Sequence, residues 1–248
     1  MDDFGKAVEI LRGVSTATLT TVLLKKGLRN VWMRNAQPIA GSERLVGRAF
    51  TLRFVPARED LATPASWASP ISTRAGTKRR VKARPTSRSL PAIEAMPEGC
   101  IAVVDSAGVP DAGIFGDILC ARMARRGVAA LVTDGAVRDI EGVLKSGLPV
   151  WCRGAAAPPS VAGLTFVAWQ EPVGCGGVAV FPDDVIVADR DGAVVIPQAL
   201  LAEVVGEAEE QERMETWIMG EVEDGAALPG LYPMNAETRA RYEKERGR

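Results

Sequence analysis

Apolar positions along this chain change their spacing several times, and each change predicts an element. Residues 6–12 and 15–26 carry the three-to-four spacing of amphipathic helices. Ser15 or Thr16 can cap the second helix, and Gly27 can end it. "LVGRAFTLRFV" (45–55) is rich in Val, Phe, Leu and Thr and predicts a strand. Beyond it the pattern predicts a strand at about 100–105, a helix at 117–126, a strand at 128–133, a helix at about 139–146 and a short strand at 149–152. The later half is strand-rich: "GGVAVF" precedes "DVIVADRDGAVVIP", a hairpin turning at Asp189-Arg190-Asp191-Gly192 and closed by Pro197. A helix over 198–219 follows, with Leu201, Val204, Val205, Ala208 and Ile218 on one face. The charged tail "AETRARYEKERGR" reads as peripheral, and no internal repeat is visible.

The order strand, helix, strand over 100–133 has a topological consequence. Such a crossover makes the two strands parallel, so both end at one edge of the sheet. Ligands of open α/β sheets bind outside such carboxyl ends. Asp117 follows the first strand, while Asp134, Gly135, Arg138 and Asp139 follow the second. Twenty residues separate Asp117 from Arg138, yet the topology returns them to one crevice.

Composition narrows the chemistry. The chain has 248 residues, 47% of them hydrophobic, and a formal net charge of −1. That size allows a substantial core, and the balance argues against nucleic-acid binding by bulk charge. Cys100, Cys120, Cys152 and Cys175 form no C-x-x-C pair, which fits a reducing, cytoplasmic setting better than a zinc or disulfide scaffold. "MDDFGKAVEI" lacks a signal-peptide pattern, and no apolar run approaches a membrane span. No histidine is present, so the commonest general base is missing. One segment departs from the average: "RAGTKRRVKARPTSRS" (74–89) holds seven Lys or Arg and no acid. It reads as a solvated loop insertion, as a rim attracting anions, or as an RNA patch lacking aromatics.

The crevice residues suit an oxo-acid. Amide N–H groups of Ile118 and Leu119, at the start of a helix after Gly116, can hold a carboxylate. Arg138 offers a bidentate clamp for an anion. Asp117 and Asp139 are hard oxygen ligands suited to Mg²⁺ or Mn²⁺, which keep several waters and need few carboxylates. Such an ion can hold a keto oxygen and stabilise the enolate that develops there. The same residues also allow a plainer reading, with Asp117 as a helix cap and Arg138–Asp139 as a structural ion pair.

"GDILCARMARRGVAALVTDGAVRD" resembles the signature of the RraA-like family, an Asp followed after twenty residues by Arg-Asp. "VGCGGVAVFPDDVIVADRDGAVVIP" is similar to the family's glycine-rich strand and its segment ending in Ile-Pro, so the resemblance covers most of residues 14–220. It implies an α/β fold, a swivelling β/β/α domain with a central sheet and flanking helices, as one domain over 1–248. The basic insertion would lie at about 56–97 and a C-terminal helix and tail at about 198–248. It implies a homotrimer or homohexamer acting on an oxo-acid, with membrane and nucleic-acid partners unexpected. The activity implied is that of a metal-dependent lyase, a 4-hydroxy-4-methyl-2-oxoglutarate aldolase or oxaloacetate decarboxylase. Asp139 would ligate the ion directly and Asp117 through water. Arg138 would bind the substrate, as would the backbone from Gly116 to Leu119. Glu210 of a neighbouring subunit, or else Glu209 or Glu212, would hold a further water. The family also contains proteins named as ribonuclease regulators, which gives a non-catalytic alternative; a related sugar-acid lyase or dehydratase is another. A menaquinone methyltransferase reading lacks a Gly-rich cofactor loop. A Schiff-base mechanism would fall to Lys145, the lysine near these motifs.

Overall fold

A computed structural model describes residues 3–41, 43–58 and 89–246. Most of the basic segment, residues 74–88, therefore lies outside the described residues, as does most of the insertion expected at 56–97.

The chain opens with helices α1 (Asp3–Arg12) and α2 (Thr16–Lys25). Ser15 is the cap of α2: its side chain accepts from the Thr18 N–H at 3.0 Å. Strand β1 (Gln37–Ala40) leads to β2 (Leu45–Pro56), helix α3 (Ser89–Ala95) and β3 (Ile101–Asp105). Then come α4 (Asp117–Arg125), β4 (Ala130–Thr133), β5 (Ala136–Val137), α5 (Ile140–Lys145), β6 (Val150–Cys152) and β7 (Gly154–Ala155). Strands β8 (Leu164–Trp169), β9 (Val173–Cys175), β10 (Val178–Val180), β11 (Val185–Asp189) and β12 (Gly192–Ile196) precede α6 (Leu201–Glu223) and α7 (Ala236–Arg246).

An eight-stranded sheet runs in the order β1-β6-β4-β3-β2-β11-β12, with β8 paired to β2 off that path. Strands β2, β3, β4 and β6 are parallel to their neighbours in that series, as the crossover pattern predicts. The twelve-residue β2 is long enough to pair with β11 at its start and with β8 at its end.

Alternation along the central strands divides the core. Ile101, Val103, Ala130 and Val132 join one buried cluster with α1, α2, α6 and the β11–β12 hairpin. Ala102, Val104 and Leu131 join another with α3, α4 and α5. Both faces of β3 and β4 are covered, which is why they read as unbroken apolar runs. The β11–β12 hairpin pairs Asp189 with Gly192 across the turn, where it was expected. A second tight hairpin joins β9 to β10 through Gly176 and Gly177, both at positive φ. A Cβ at Gly176 would lie 2.5 Å from the Arg34 nitrogen, so this position needs glycine twice over.

Two expectations change, and two strands were not foreseen. The helix expected at 198–219 begins as a 3₁₀ turn at Gln198–Leu200 and runs on to Glu223. Strands β1 and β8 had no distinct signal in the apolar spacing. The charged tail is not peripheral: it forms α7 and docks on α6. Tyr242 is only 3% exposed, and its ring meets Trp217 edge-on at 5.6 Å. Arg241 stacks on Trp217 and pairs with Glu221. One aromatic residue in a charged run was too little sequence signal for that contact.

All four cysteines are buried and free. Burial pushes the Cys100 thiol up to about 11 and the Cys120 thiol up to about 12. The thiolate is the reactive form, so the folded protein is expected to resist iodoacetamide at pH 8 and to label at all four positions in urea. Labelling of any of them in the folded protein, read by mass spectrometry, would contradict this burial.

Candidate active site

The candidate site is assembled at the carboxyl edge of β3 and β4. Asp134 follows β4 directly, and it is a structural acid. It is 4% exposed. Its Oδ1 accepts from the Ser106 N–H and Oγ at 2.9 and 2.7 Å, and its Oδ2 from the Gly108 and Gly176 N–H groups at 3.1 and 3.2 Å. This one carboxylate ties the loop after β3 to the β9–β10 hairpin. Asp105 does similar work, accepting from the Ala107 and Gly174 N–H groups. Buried carboxylates held by several amides anchor backbone; they are poorly placed to meet a ligand.

Past Asp134 the chain pairs with the loop from β3. The Ile114 N–H donates to the Ala136 carbonyl at 2.9 Å, and the Arg138 N–H to the Phe115 carbonyl at 3.0 Å. Close approach here requires Gly113, whose added Cβ would lie 2.7 Å from the Arg138 Cβ. These contacts place Arg138 and Asp139 against the start of α4. The Arg138 Nε donates to Asp139 Oδ2 at 2.9 Å, so the two pair in this state. Both are part-exposed, with the Asp139 side chain 44% exposed. Asp139 adopts φ 54° and ψ 47°, left-handed backbone that Asp and Asn tolerate best among residues with a Cβ.

Asp117 stands beside them. It is the first residue of α4, and Gly116 is the cap. Its Oδ1 accepts from its neighbour's amide, Ile118 N–H, at 2.7 Å. The Ile118 amide, expected to be open to a substrate carboxylate, is therefore engaged. Among the described residues no side chain accepts from the Leu119 amide in the same first turn, and the Ile118 side chain points outward at 78% exposed. Two glycines make room for the acids. A Cβ at Gly116 would lie 2.6 Å from Asp139 Oδ2, and one at Gly142 would lie 2.5 Å from the Asp117 Cβ. Gly142→Ala should thus cost about 1–3 kcal/mol in stability from overpacking, although alanine favours a helix. Thermal melting would check it, and an unchanged or raised midpoint would show that α4 and α5 can separate freely.

The remaining predicted residue lies elsewhere in the subunit. Glu210 is on α6, which packs on α1 and α2. The Tyr242 hydroxyl donates to Glu210 Oε1 at 3.1 Å, Arg246 binds the same oxygen at 2.7 Å, and Arg213 binds Oε2 at 3.2 Å. Glu209 pairs with Arg213, and Glu212 accepts from the Ser15 N–H. Lys145 is exposed in the last turn of α5, which is not the desolvated setting a Schiff-base lysine needs.

Among the described residues no group of three or more His, Cys, Asp or Glu side chains is suited to a metal ion. Two aspartates with solvent access still fit Mg²⁺ or Mn²⁺, which complete their shells with water and substrate. The Asp139 side chain is 44% exposed, so its carboxylate is open to an ion and its waters. No single helix among the described residues is long and apolar enough to cross a membrane.

Fold and edge together define an α/β protein with two aspartates and an arginine at the carboxyl ends of parallel strands. The chain belongs to the RraA-like family: the family model described as Aldolase/RraA matches residues 16–195. A solved relative, Streptomyces coelicolor RraAS2, is described as an unusual member of the RNase ES inhibitor RraA protein family. It is 31% identical, superposes with a TM-score of 0.71, and the match covers 86% of this chain and 95% of that one. An uncharacterized protein from Pseudomonas syringae pv. tomato shares the fold at 24% identity, with a TM-score of 0.73 over 92% of this chain and 97% of that one. A Halalkalibacterium halodurans protein named "Putative 4-hydroxy-4-methyl-2-oxoglutarate aldolase" is 35% identical over 120 residues, 48% of this chain and 56% of that protein. Protein DlpA of Legionella pneumophila is 27% identical over 169 residues, 68% of this chain and 24% of its own length. The chain thus spans about a quarter and about half of these two curated relatives.

Proposed function

We propose that this protein is a divalent-metal-dependent carbon–carbon lyase. It would cleave a 4-hydroxy-2-oxo acid in the retro-aldol sense, releasing pyruvate, or decarboxylate oxaloacetate at the same edge. The observation that carries the reading is the meeting of Asp117, Arg138 and Asp139 around Gly116 at the start of α4. The aldolase name borne by the H. halodurans relative supports it.

Asp139 would hold Mg²⁺ or Mn²⁺ directly, and Asp117 would do so through water. When bound, the ion supplies a Lewis acid that draws electron density from the C2 carbonyl. The helix start, with the Leu119 amide foremost, receives the C1 carboxylate. Arg138 turns from Asp139 toward the substrate and offsets the negative charge gathering on the C2 oxygen. The C4 hydroxyl would give up its proton to a water held by Asp117, the C3–C4 bond breaks, and its electron pair passes toward that oxygen. C4 leaves as a carbonyl compound, and a proton returned to C3 completes pyruvate, with no change in overall oxidation state. Asp117 Oδ1 accepts from the Ile118 N–H and Oδ2 lies against Gly142, so a water held by Asp117 would be reached from this corner between α4 and α5.

The test is a screen of 4-hydroxy-2-oxo acids and oxaloacetate with Mg²⁺, with Mn²⁺ and after EDTA. Pyruvate release that EDTA stops and metal restores is the expected result. Absence of turnover on every substrate, or turnover indifferent to EDTA, would overturn the lyase reading. The description of RraAS2 favours one second reading, a non-catalytic regulator that binds a ribonuclease. Ribonuclease capture without turnover would select it.

In a trimer or hexamer, Glu210 from a neighbouring subunit would add a third carboxylate to the edge. It would first exchange its present partners, Tyr242, Arg246 and Arg213. Mixing Glu210→Ala with Asp139→Asn subunits, each inactive alone, should then restore part of the activity, because a head-to-tail ring creates some interfaces with both residues intact. No recovery after verified subunit exchange would remove Glu210 from the site.

A further inference from the structure

Helix α7 docks on the part of α6 that carries Glu210. Of Glu209, Glu210 and Glu212, Glu210 is the one that α7 holds: its Oε1 accepts from the Tyr242 hydroxyl at 3.1 Å and from Arg246 at 2.7 Å. Glu209 pairs with Arg213 inside α6, and Glu212 accepts from the Ser15 N–H. Tyr242 is 3% exposed. Burial, and then Glu210 beside it, push its hydroxyl above the usual value, so it stays protonated and donates across the neutral range. A carboxylate oxygen that already accepts from a phenol and a guanidinium has little left to offer a water of a metal shell.

This hold is weak enough to open. Eleven residues make a marginal helix in water by themselves. Tyr242 is the one buried side chain of α7. The remaining contacts lie at the surface: Arg241 stacks on Trp217 and pairs with Glu221, and the Trp217 Nε1 donates to Glu245 at 2.8 Å. The Arg241 and Arg246 side chains are each 48% exposed, and exposed pairs of this kind add little stability. Segments with so little buried apolar surface open at far lower cost than the core.

We infer that α7 is a latch: it holds Glu210 within its own subunit, and its release frees Glu210 for the metal site of the neighbouring subunit. The inference rests on the reading of Glu210 as a neighbour's water-holding carboxylate, but its test is read from metal binding and needs no turnover. Arg213 also binds Glu210, on Oε2, yet it lies on α6 and travels with it. Tyr242 and Arg246 are the two partners that α7 can withdraw.

The working variant is the double substitution Tyr242→Phe, Arg246→Met in the full chain. Both replacements keep the packing body of the side chain and remove the donor, so α7 stays docked while Oε1 is freed. Mn²⁺ affinity, from electron paramagnetic resonance of the free ion, should rise by about three- to tenfold. Outer partners of a metal site are worth about ten- to a hundredfold in affinity, and the wild type is already released part of the time. Adding Glu210→Gln should remove the rise, with equal affinities whether or not the two donors are present. Hydrogen exchange of the wild type should show the amides of 240–246 opening at least about a hundredfold more often than those of Val204, Val205 and Ala208, which α6 buries in the core. Unchanged or weaker Mn²⁺ binding in the double variant, a rise that persists with Glu210→Gln, or α7 amides as protected as those of α6 would overturn the latch. Absence of Mn²⁺ binding to every form would overturn it together with the lyase reading. If the rise appears and depends on Glu210 while no 4-hydroxy-2-oxo acid or oxaloacetate is cleaved, the lyase reading falls and the latch stands.

Discussion

Asp139→Asn is expected to lower metal-dependent turnover by about a thousandfold while the protein stays folded. A Lewis acid on a carbonyl oxygen is worth several kcal/mol in the transition state. Each 1.36 kcal/mol is about a factor of ten in rate, so misplacing the ion costs about three decades. Asparagine is the informative replacement because of the backbone. At φ 54°, alanine would add left-handed strain of about 1–3 kcal/mol and confuse lost activity with lost stability. Asparagine tolerates that conformation and keeps the side-chain shape. The Asp139 side chain makes no capping bond to α5, so its charge is not needed to start that helix. Turnover at high Mn²⁺ and the thermal midpoint would be measured together. Wild-type turnover in the variant would place the ion on other ligands.

The sequence made the parallel layout legible because β3 and β4 are buried on both faces. Their unbroken apolar runs, separated by one helix, allow little else. Edge strands were harder to read. Residues 164–169 alternate only in part, since β8 ends with an exposed Val167 and a half-exposed Trp169. The α6–α7 contact was illegible for another reason: it is made by Trp217, Tyr242, Arg241 and Arg246, residues whose partners lie twenty or more positions away. Periodicity records which face of a helix is apolar. It does not record a cation stacking on an indole.

Within the site, spacing and topology brought Asp117, Arg138 and Asp139 together, and the structure places them at one edge. Hydrogen bonding was not legible. Asp134 and Asp139 both stand beside the second strand's end, yet one is enclosed by four amide or hydroxyl donors and the other faces solvent. The donors to Asp134 come from the distant segments 106–108 and 176, which no local pattern connects.

Arg138→Met should move two observables in opposite directions. Turnover should fall by about a hundred- to a thousandfold, the cost of removing one preorganised donor to a developing oxyanion. Affinity for Mn²⁺ should rise by about two- to fivefold, because the guanidinium now competes with any cation for the Asp139 carboxylate, and such a part-exposed pair is worth at most about 1 kcal/mol. The competition is visible in the 2.9 Å contact between Arg138 Nε and Asp139 Oδ2. Methionine keeps the unbranched stem that packs on Gly113, so the loop retains its support. Arg138→Lys is the intermediate case: the charge remains, the planar fork is lost, and turnover should fall without the gain in Mn²⁺ affinity. Electron paramagnetic resonance of free Mn²⁺ gives the affinity, and pyruvate release gives the turnover. A merely structural arginine would behave differently, since its loss would loosen the 113–116 and 136–139 strips and weaken both. Parallel loss of metal affinity and turnover in Arg138→Met would assign the residue to the scaffold, and the substrate clamp would have to be sought elsewhere on this edge.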